Sequence, residues 1–155
     1  MSVLQSPVRF YLDTNIFIYA VEAHPECVET LTRLFEDIED GVTQAVTSEL
    51  SLAEALVKPL ADGNAKAVRA FERALQSAGC FKVHPVSREV LREAARMRAA
   101  TSLKLPDAIH AATAHLTHCT VFLTNDDRLK RIKSLQVETL SDFSAALATK
   151  NSAAE

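Results

Sequence analysis

The chain is 155 residues long, 48% hydrophobic and 24% charged, which fits one folded domain and excludes wholesale disorder. Its three glycines (Gly41, Gly63, Gly79) stand well apart, excluding the Gly-x-Gly dinucleotide fingerprint and the P-loop. The formal charge is −3, which taken alone argues against a nucleic-acid partner. That total hides an asymmetry. Residues 1–57 carry two basic side chains against ten acidic, whereas residues 58–133 carry fourteen basic against seven acidic. Such a chain can still present a basic surface to a polyanion, although solvated helix faces of differing sign would read the same way.

In chain order, residues 8–12 are β-prone and stop at Asp13-Thr14-Asn15, a turn or helix-start cluster. A helix is predicted over about 26–40, with Pro25 at its start and Val28, Leu31, Leu34, Phe35 and Ile38 on one face. Gly41 closes it. Residues 42–47 read as a second strand, and Ser48 as the N-cap of a helix that must end near Pro59. Asp62-Gly63-Asn64 is a turn, followed by a helix over about 65–77. A third, short strand covers 81–83, and Ser87 caps a helix reaching about residue 100. Leu105-Pro106-Asp107 opens an alanine-rich helix to about Thr117, and 120–124 is the clearest strand. A short helix from Asp126, a weak strand near 136–139 and a last helical turn or two complete one domain over 1–150. Residues 151–155 read as a frayed tail. Strands separated by helices imply an α/β fold with a parallel sheet covered on both faces, whose ligands bind beyond the carboxyl ends of the strands.

Cys27, Cys80 and Cys119 are odd in number, lack a Cys-x-x-Cys pair and sit beside apolar residues, as reduced core thiols do. With no run approaching a membrane span and no signal-peptide pattern, a soluble cytoplasmic protein is expected.

Four acids stand where acids are costly. Asp13 ends the first strand and Asp126 follows the fourth, so neighbouring strands would bring both to one sheet edge. Asp107 lies in the first turn of its helix. Glu54 shares a helical face with Leu50, Ala53 and Val57, a carboxylate in an apolar stripe that needs a partner or a cation. Each has an ordinary alternative: N-capping for Asp13 and Asp126, complementing the helix dipole for Asp107, snorkelling for Glu54. Gathered together, four carboxylates suit a hard divalent ion, and metal-assisted phosphodiester hydrolysis is the natural chemistry of such a pocket.

Leu12-Asp13-Thr14-Asn15, Ser48 followed by Glu54, Asp107-Ala-Ile-His-Ala-Ala-Thr-Ala and Leu123-Thr124-Asn125-Asp126 resemble the four acidic motifs of PIN-domain ribonucleases. The resemblance is closest to VapC-like toxins of type II toxin–antitoxin systems and runs from about residue 9 to 143. It implies a parallel sheet of order 3-2-1-4-5. It also implies that Asp13, Glu54, Asp107 and Asp126 are the catalytic residues and bind Mg2+ or Mn2+, with Asn15 and Thr124 as polar supports. An RNA substrate, an antitoxin partner packing over the helices, and a homodimer are implied as well. Asp127 competes with Asp126 for the fourth position, and the Thr-x-Asp pattern favours Asp126. A PIN domain of this kind can also be a non-toxin nuclease or an inactive RNA-binding scaffold.

Arg128, Lys130, Arg131 and Lys133 directly follow the fourth acid and are candidates for RNA contact. Arg88, Arg92 and Arg96 repeat along one helix face, but Glu89 and Glu93 interleave with them as in a solvated, ion-paired face. His110, three residues after Asp107, fits either a satisfied core histidine or a group orienting a carboxylate or meeting RNA. His115 and His118 lack the neighbours a zinc site requires. A phospho-receiver module also has an acidic α/β pocket, yet it needs an acidic pair after the first strand and an acceptor Asp after the third, where His84-Pro85 stands.

Overall fold

The computed structural model describes residues 7–153. Its strands β1 (Arg9–Leu12), β2 (Gln44–Ser48), β3 (Phe81–His84), β4 (Val121–Thr124) and β5 (Val137–Thr139) form one parallel sheet in the order β3-β2-β1-β4-β5. This is the expected order, and it makes β1 and β4 neighbours. Each central strand alternates between two buried faces, as a sheet covered on both sides requires. Phe10, Leu12, Ala45, Val121 and Leu123 face one core, while Tyr11, Val46 and Phe122 face the other. Tyr11 pairs with Phe122 in register, and their rings stack with centroids 5.0 Å apart.

The first core is closed by α1 (Thr14–Val21), α2 (Val28–Glu39), α3 (Glu49–Ala61), α4 (Ala65–Ala74) and α7 (Leu140–Ala153). The second lies under α5 (Arg88–Ala100), α6 (Leu105–Leu116) and a 3-10 helix (Asp127–Arg131). On α6, Ala108, Ala111, Ala112 and Ala114 are completely buried, so the small side chains let this helix lie close on the sheet.

Four local expectations need correction, and a fifth, the end of a helix near Pro59, holds to within two residues. The cluster after β1 starts α1, a helix the sequence reading does not separate, because its Ile16-Phe17-Ile18-Tyr19 run is apolar on every side and rich in strand formers. The second helix begins at Val28, and Pro25 lies before it. Pro59 sits inside α3, which runs on to Ala61. In the last turn a proline forfeits only one helical hydrogen bond, and its ring is buried. The helix predicted over 65–77 ends at Ala74. Finally, the last helix, expected to be a turn or two, is the 14-residue α7, which takes in residues 151–153; residues 154 and 155 of the expected tail lie outside the described residues. The apolar face of α2 is core: Leu31, Leu34 and Ile38 are buried. Cys27, Cys80 and Cys119 are free thiols, and burial pushes Cys119 up to about 11. Among the described residues, no helix is long and apolar enough to cross a membrane.

Candidate active site

Because Leu12 pairs with Leu123, the carboxyl ends of β1 and β4 finish side by side. Asp13 follows Leu12 and is only 7% exposed. Its backbone N–H donates to Leu123 O at 3.0 Å. Its Oδ1 accepts from Thr14 N at 2.8 Å, capping α1, and its Oδ2 accepts from Thr124 Oγ1 at 2.7 Å. Thr124 Oγ1 in turn accepts from the Asp126 N–H at 3.1 Å. One threonine hydroxyl therefore links the first and fourth acids. Asp13 is both an N-cap and a member of the cluster, so the two readings of it are compatible.

Glu54 reaches the same edge from α3, whose N-cap is Ser48, bonded to Leu50 N. It does not lie in a buried apolar stripe. Val57 is 67% exposed, and the inward face of α3 is Ser51, Ala55 and Pro59. The carboxylate finds partners at the edge of that face: Oε1 accepts from Thr14 Oγ1 at 2.9 Å and pairs with His110 Nε2 at 2.5 Å. His110 is 2% exposed, and its Nδ1 lies 2.6 Å from the Tyr11 hydroxyl. Burial, reinforced by the Asp13 charge, raises the Tyr11 phenol well above its ordinary range, so it stays protonated and donates to Nδ1. That leaves Nε2–H to donate to Glu54. Burial alone would raise the Glu54 carboxyl, but the hydrogen bonds from His110 and Thr14 hold it below its ordinary value. His110 is thus a core histidine that also orients a carboxylate.

Asp107 enters from the first turn of α6, just after Pro106. Its half-buried carboxylate has no hydrogen-bond or ion-pair partner among the described residues. Desolvation raises its pKa, Asp13 and Asp126 raise it further, and Arg128 offsets part of the rise. Asp126 caps the 3-10 helix and carries a bidentate ion pair with Arg128, which holds its carboxyl down. Asp127 points away: its side chain is 85% exposed beside Lys130.

The expected polar supports divide. Thr124 bonds Asp13, whereas Asn15 is exposed and makes no hydrogen bond to an acid. Thr14 and Ser51, not singled out by sequence reasoning, stand in its place with Thr47, joined through hydroxyl contacts of 2.9 and 3.1 Å. Proximity of Thr14 to Asp13 was the available signal. Of the basic candidates, Arg128 is on Asp126, Lys130 bonds Asp142 at 2.9 Å, Arg131 reaches Ser102, and Lys133 is exposed. β3 ends in His84, so the acceptor aspartate of a receiver module is missing.

Residues 10–135 match the family profile described as PIN domain. The chain belongs to the PIN-domain family. No curated protein matches it by sequence. Solved structures share this PIN fold. VapBC2 from Rickettsia felis, bound to a promoter DNA fragment, aligns with a TM-score of 0.67 at 19% identity, over 85% of this chain and 98% of that one. A toxin–antitoxin complex from Klebsiella pneumoniae gives 0.62 at 24%, over 84% and 96%. VapC20 from Mycobacterium tuberculosis, a sarcin–ricin loop cleaving toxin, gives 0.61 at 18%, over 88% and 94%. The structural neighbours of this PIN domain are thus VapC toxins of VapBC complexes.

PIN domains are nucleases that typically use a divalent metal. The donor chemistry here fits one. Asp13 and Asp107 offer hard oxygen ligands, and Asp107 is an unpartnered, half-buried carboxylate beside other negative groups. Among the described residues no three His, Cys, Asp or Glu side chains form a finished metal cage. Glu54 and Asp126 are instead turned onto His110 and Arg128. Mg2+ needs few protein ligands, commonly one or two carboxylates with waters and substrate oxygens.

Proposed function

We propose that this PIN domain is a Mg2+- or Mn2+-dependent endoribonuclease, the toxin of a toxin–antitoxin pair acting in the cytoplasm. The observation that carries the reading is the unpartnered, half-buried Asp107 carboxylate, raised by burial and then by Asp13 and Asp126, beside the edge shared by β1 and β4. Asp13, Asp107 and Asp126 would hold the metal, with Glu54 completing the set. The bound ion would activate water and stabilise the leaving oxygen of an RNA phosphodiester. The protein's part is preorganisation. Thr124 fixes Asp13 and the Asp126 loop in one relation, and the Tyr11–His110 pair keeps Glu54 ionised and aimed. Arg131 and Lys133, with Arg128 and Lys130, supply positive charge on the approach to the acids. Low aromatic content (6%, no Trp) favours backbone and shape recognition over base stacking.

An antitoxin partner and a homodimer belong to the same proposal. A cleft of about 410 Å³ between α1, α3 and α4, lined by Ile18, Val21, Ala55 and Phe71, adjoins Glu54. Val57 and Leu60 stand exposed on the neighbouring surface of α3. RNA cleavage by the purified protein, with and without EDTA, tests the enzyme; Asp13→Asn and Asp107→Asn should abolish it. Cleavage that survives chelation and both substitutions would reject the assignment. Growth arrest on expression, relieved by a small adjacent reading frame, tests the toxin.

A further inference from the structure

Asp126 is gripped twice by one residue. Its Oδ1 accepts the Arg128 backbone N–H at 3.0 Å and Nε at 2.9 Å, while Oδ2 accepts Nη2 at 2.7 Å. The spacing explains this: Asp126 caps the 3-10 helix, so main chain and side chain of residue 128 both return to the cap. The Arg128 side chain is 73% exposed, and among the described residues the carboxylates acting on it are Asp126 and Asp107. Its neighbours are placed differently. Lys130 is tied to Asp142 and Asp127, and Arg131 reaches Ser102. Of the four basic residues in this segment, Arg128 alone is paired with a member of the acidic cluster.

We propose that Arg128 is a phosphate-binding residue parked on Asp126, released toward the RNA backbone when a divalent cation takes that carboxylate. The proposal rests on the metal-nuclease reading above. A bidentate guanidinium engages both carboxylate oxygens, so it competes with any cation that needs them. Once free, its planar fork suits a phosphate as well as it suited the carboxylate. Arg128 therefore weakens metal binding to the RNA-free protein and strengthens RNA binding to the loaded one. Removing it moves the two affinities in opposite directions.

The test uses the full chain and two readouts. Mn2+ alone is titrated calorimetrically into wild type, Arg128→Ala, Arg128→Lys and the charge-loss control Lys82→Ala on the edge strand β3. The salt dependence of KM for an RNA substrate is then measured for wild type and Arg128→Ala. Arg128→Ala should bind Mn2+ about two- to five-fold more tightly, the scale of one exposed ion pair. Arg128→Lys, which keeps the charge but loses the fork, should also bind more tightly than wild type, and Lys82→Ala should match wild type. For Arg128→Ala the KM for RNA should rise, and the log–log salt slope should become shallower by about 0.7 for one phosphate contact on a single strand. Unchanged Mn2+ affinity in both Arg128 variants, an effect in Arg128→Ala alone, or an unchanged salt slope overturns the proposal. If wild type takes up no Mn2+ and Asp13→Asn does not differ from it, the metal reading falls as well. If wild-type uptake is lost in Asp13→Asn while the Arg128 variants are unmoved, only the Arg128 proposal falls.

Discussion

His110 Nε2 lies 2.5 Å from Glu54 Oε1, joining α6 to α3 across the carboxyl edge of the sheet. The bond has one direction only, because the Tyr11 hydroxyl, 2.6 Å from Nδ1, is the donor on the other side. Tyr11→Phe removes that donor without removing the ring stacked on Phe122. It leaves a buried Nδ1 unsatisfied, so stability should fall by about 1–2 kcal/mol, read as a lower urea midpoint at unchanged m-value. The freed imidazole can also place its proton on Nδ1 and stop donating to Glu54. RNA cleavage should therefore drop about ten-fold or more, the usual cost of losing an outer-shell partner. A variant as stable and as active as wild type would refute the orienting role.

The architecture was legible because strands of a doubly covered sheet read as short apolar runs, clearest in β4 and weakest in β3 and β5, which carry polar residues such as Lys82 and Glu138. What hid α1 was the same property: Ile16 to Val21 is apolar all round and gives no helical stripe. The four acids were legible as residues, but their partners were not. Glu54 is held by a histidine 56 positions away and Asp13 by a threonine 111 positions away. Such contacts follow from strand order and register, which one-dimensional spacing does not carry. The family resemblance implies Asn15 as a support, yet α1 turns it outward and turns Thr14 inward. Arg128 looked free for RNA because the bond to its own N-cap is invisible until the 3-10 turn is formed.

Thr124 is the hinge between the first and fourth acids, donating to Asp13 and accepting from the Asp126 N–H. Thr124→Val keeps the shape and removes both bonds, leaving the buried Asp13 oxygen without its donor. Cleavage should fall about 10- to 100-fold and stability by about 1–2 kcal/mol. Thr124→Ser, which retains the hydroxyl, should recover most of both. Equal loss in the two variants would mean that the methyl group, not the hydroxyl, matters.

Asp107 is predicted to trade stability for function. Burial and the Asp13 charge raise its carboxyl above the ordinary range, so the native state binds this proton more tightly than the unfolded chain. Stability from this group is therefore greatest at low pH. It declines as pH rises from about 4, the unfolded value, through the raised native value, and stays lower at neutrality. Asp107→Asn removes the penalty. Without metal at pH 7 its Tm should exceed that of wild type by about 1–3 °C, and the difference should vanish below about pH 4. The same variant should be inactive on RNA. A Tm below wild type at pH 7 would show that the carboxylate already has a stabilising partner.

Divalent ions should reverse that order. A ligand that binds only the native state stabilises it by about 2.7 kcal/mol at one hundred times its dissociation constant. For a chain of this length that corresponds to a Tm increase of about 5–10 °C. Wild type should show this rise on addition of Mn2+ and lose it with EDTA. Asp13→Asn and Asp107→Asn should show little or none, because each removes a proposed ligand. Lys82→Ala, far from the acids in sequence and on the edge strand, should respond as wild type does. A uniform rise across all four proteins would trace the effect to nonspecific binding, whereas a rise confined to wild type and Lys82→Ala would assign the ion to the edge shared by β1 and β4.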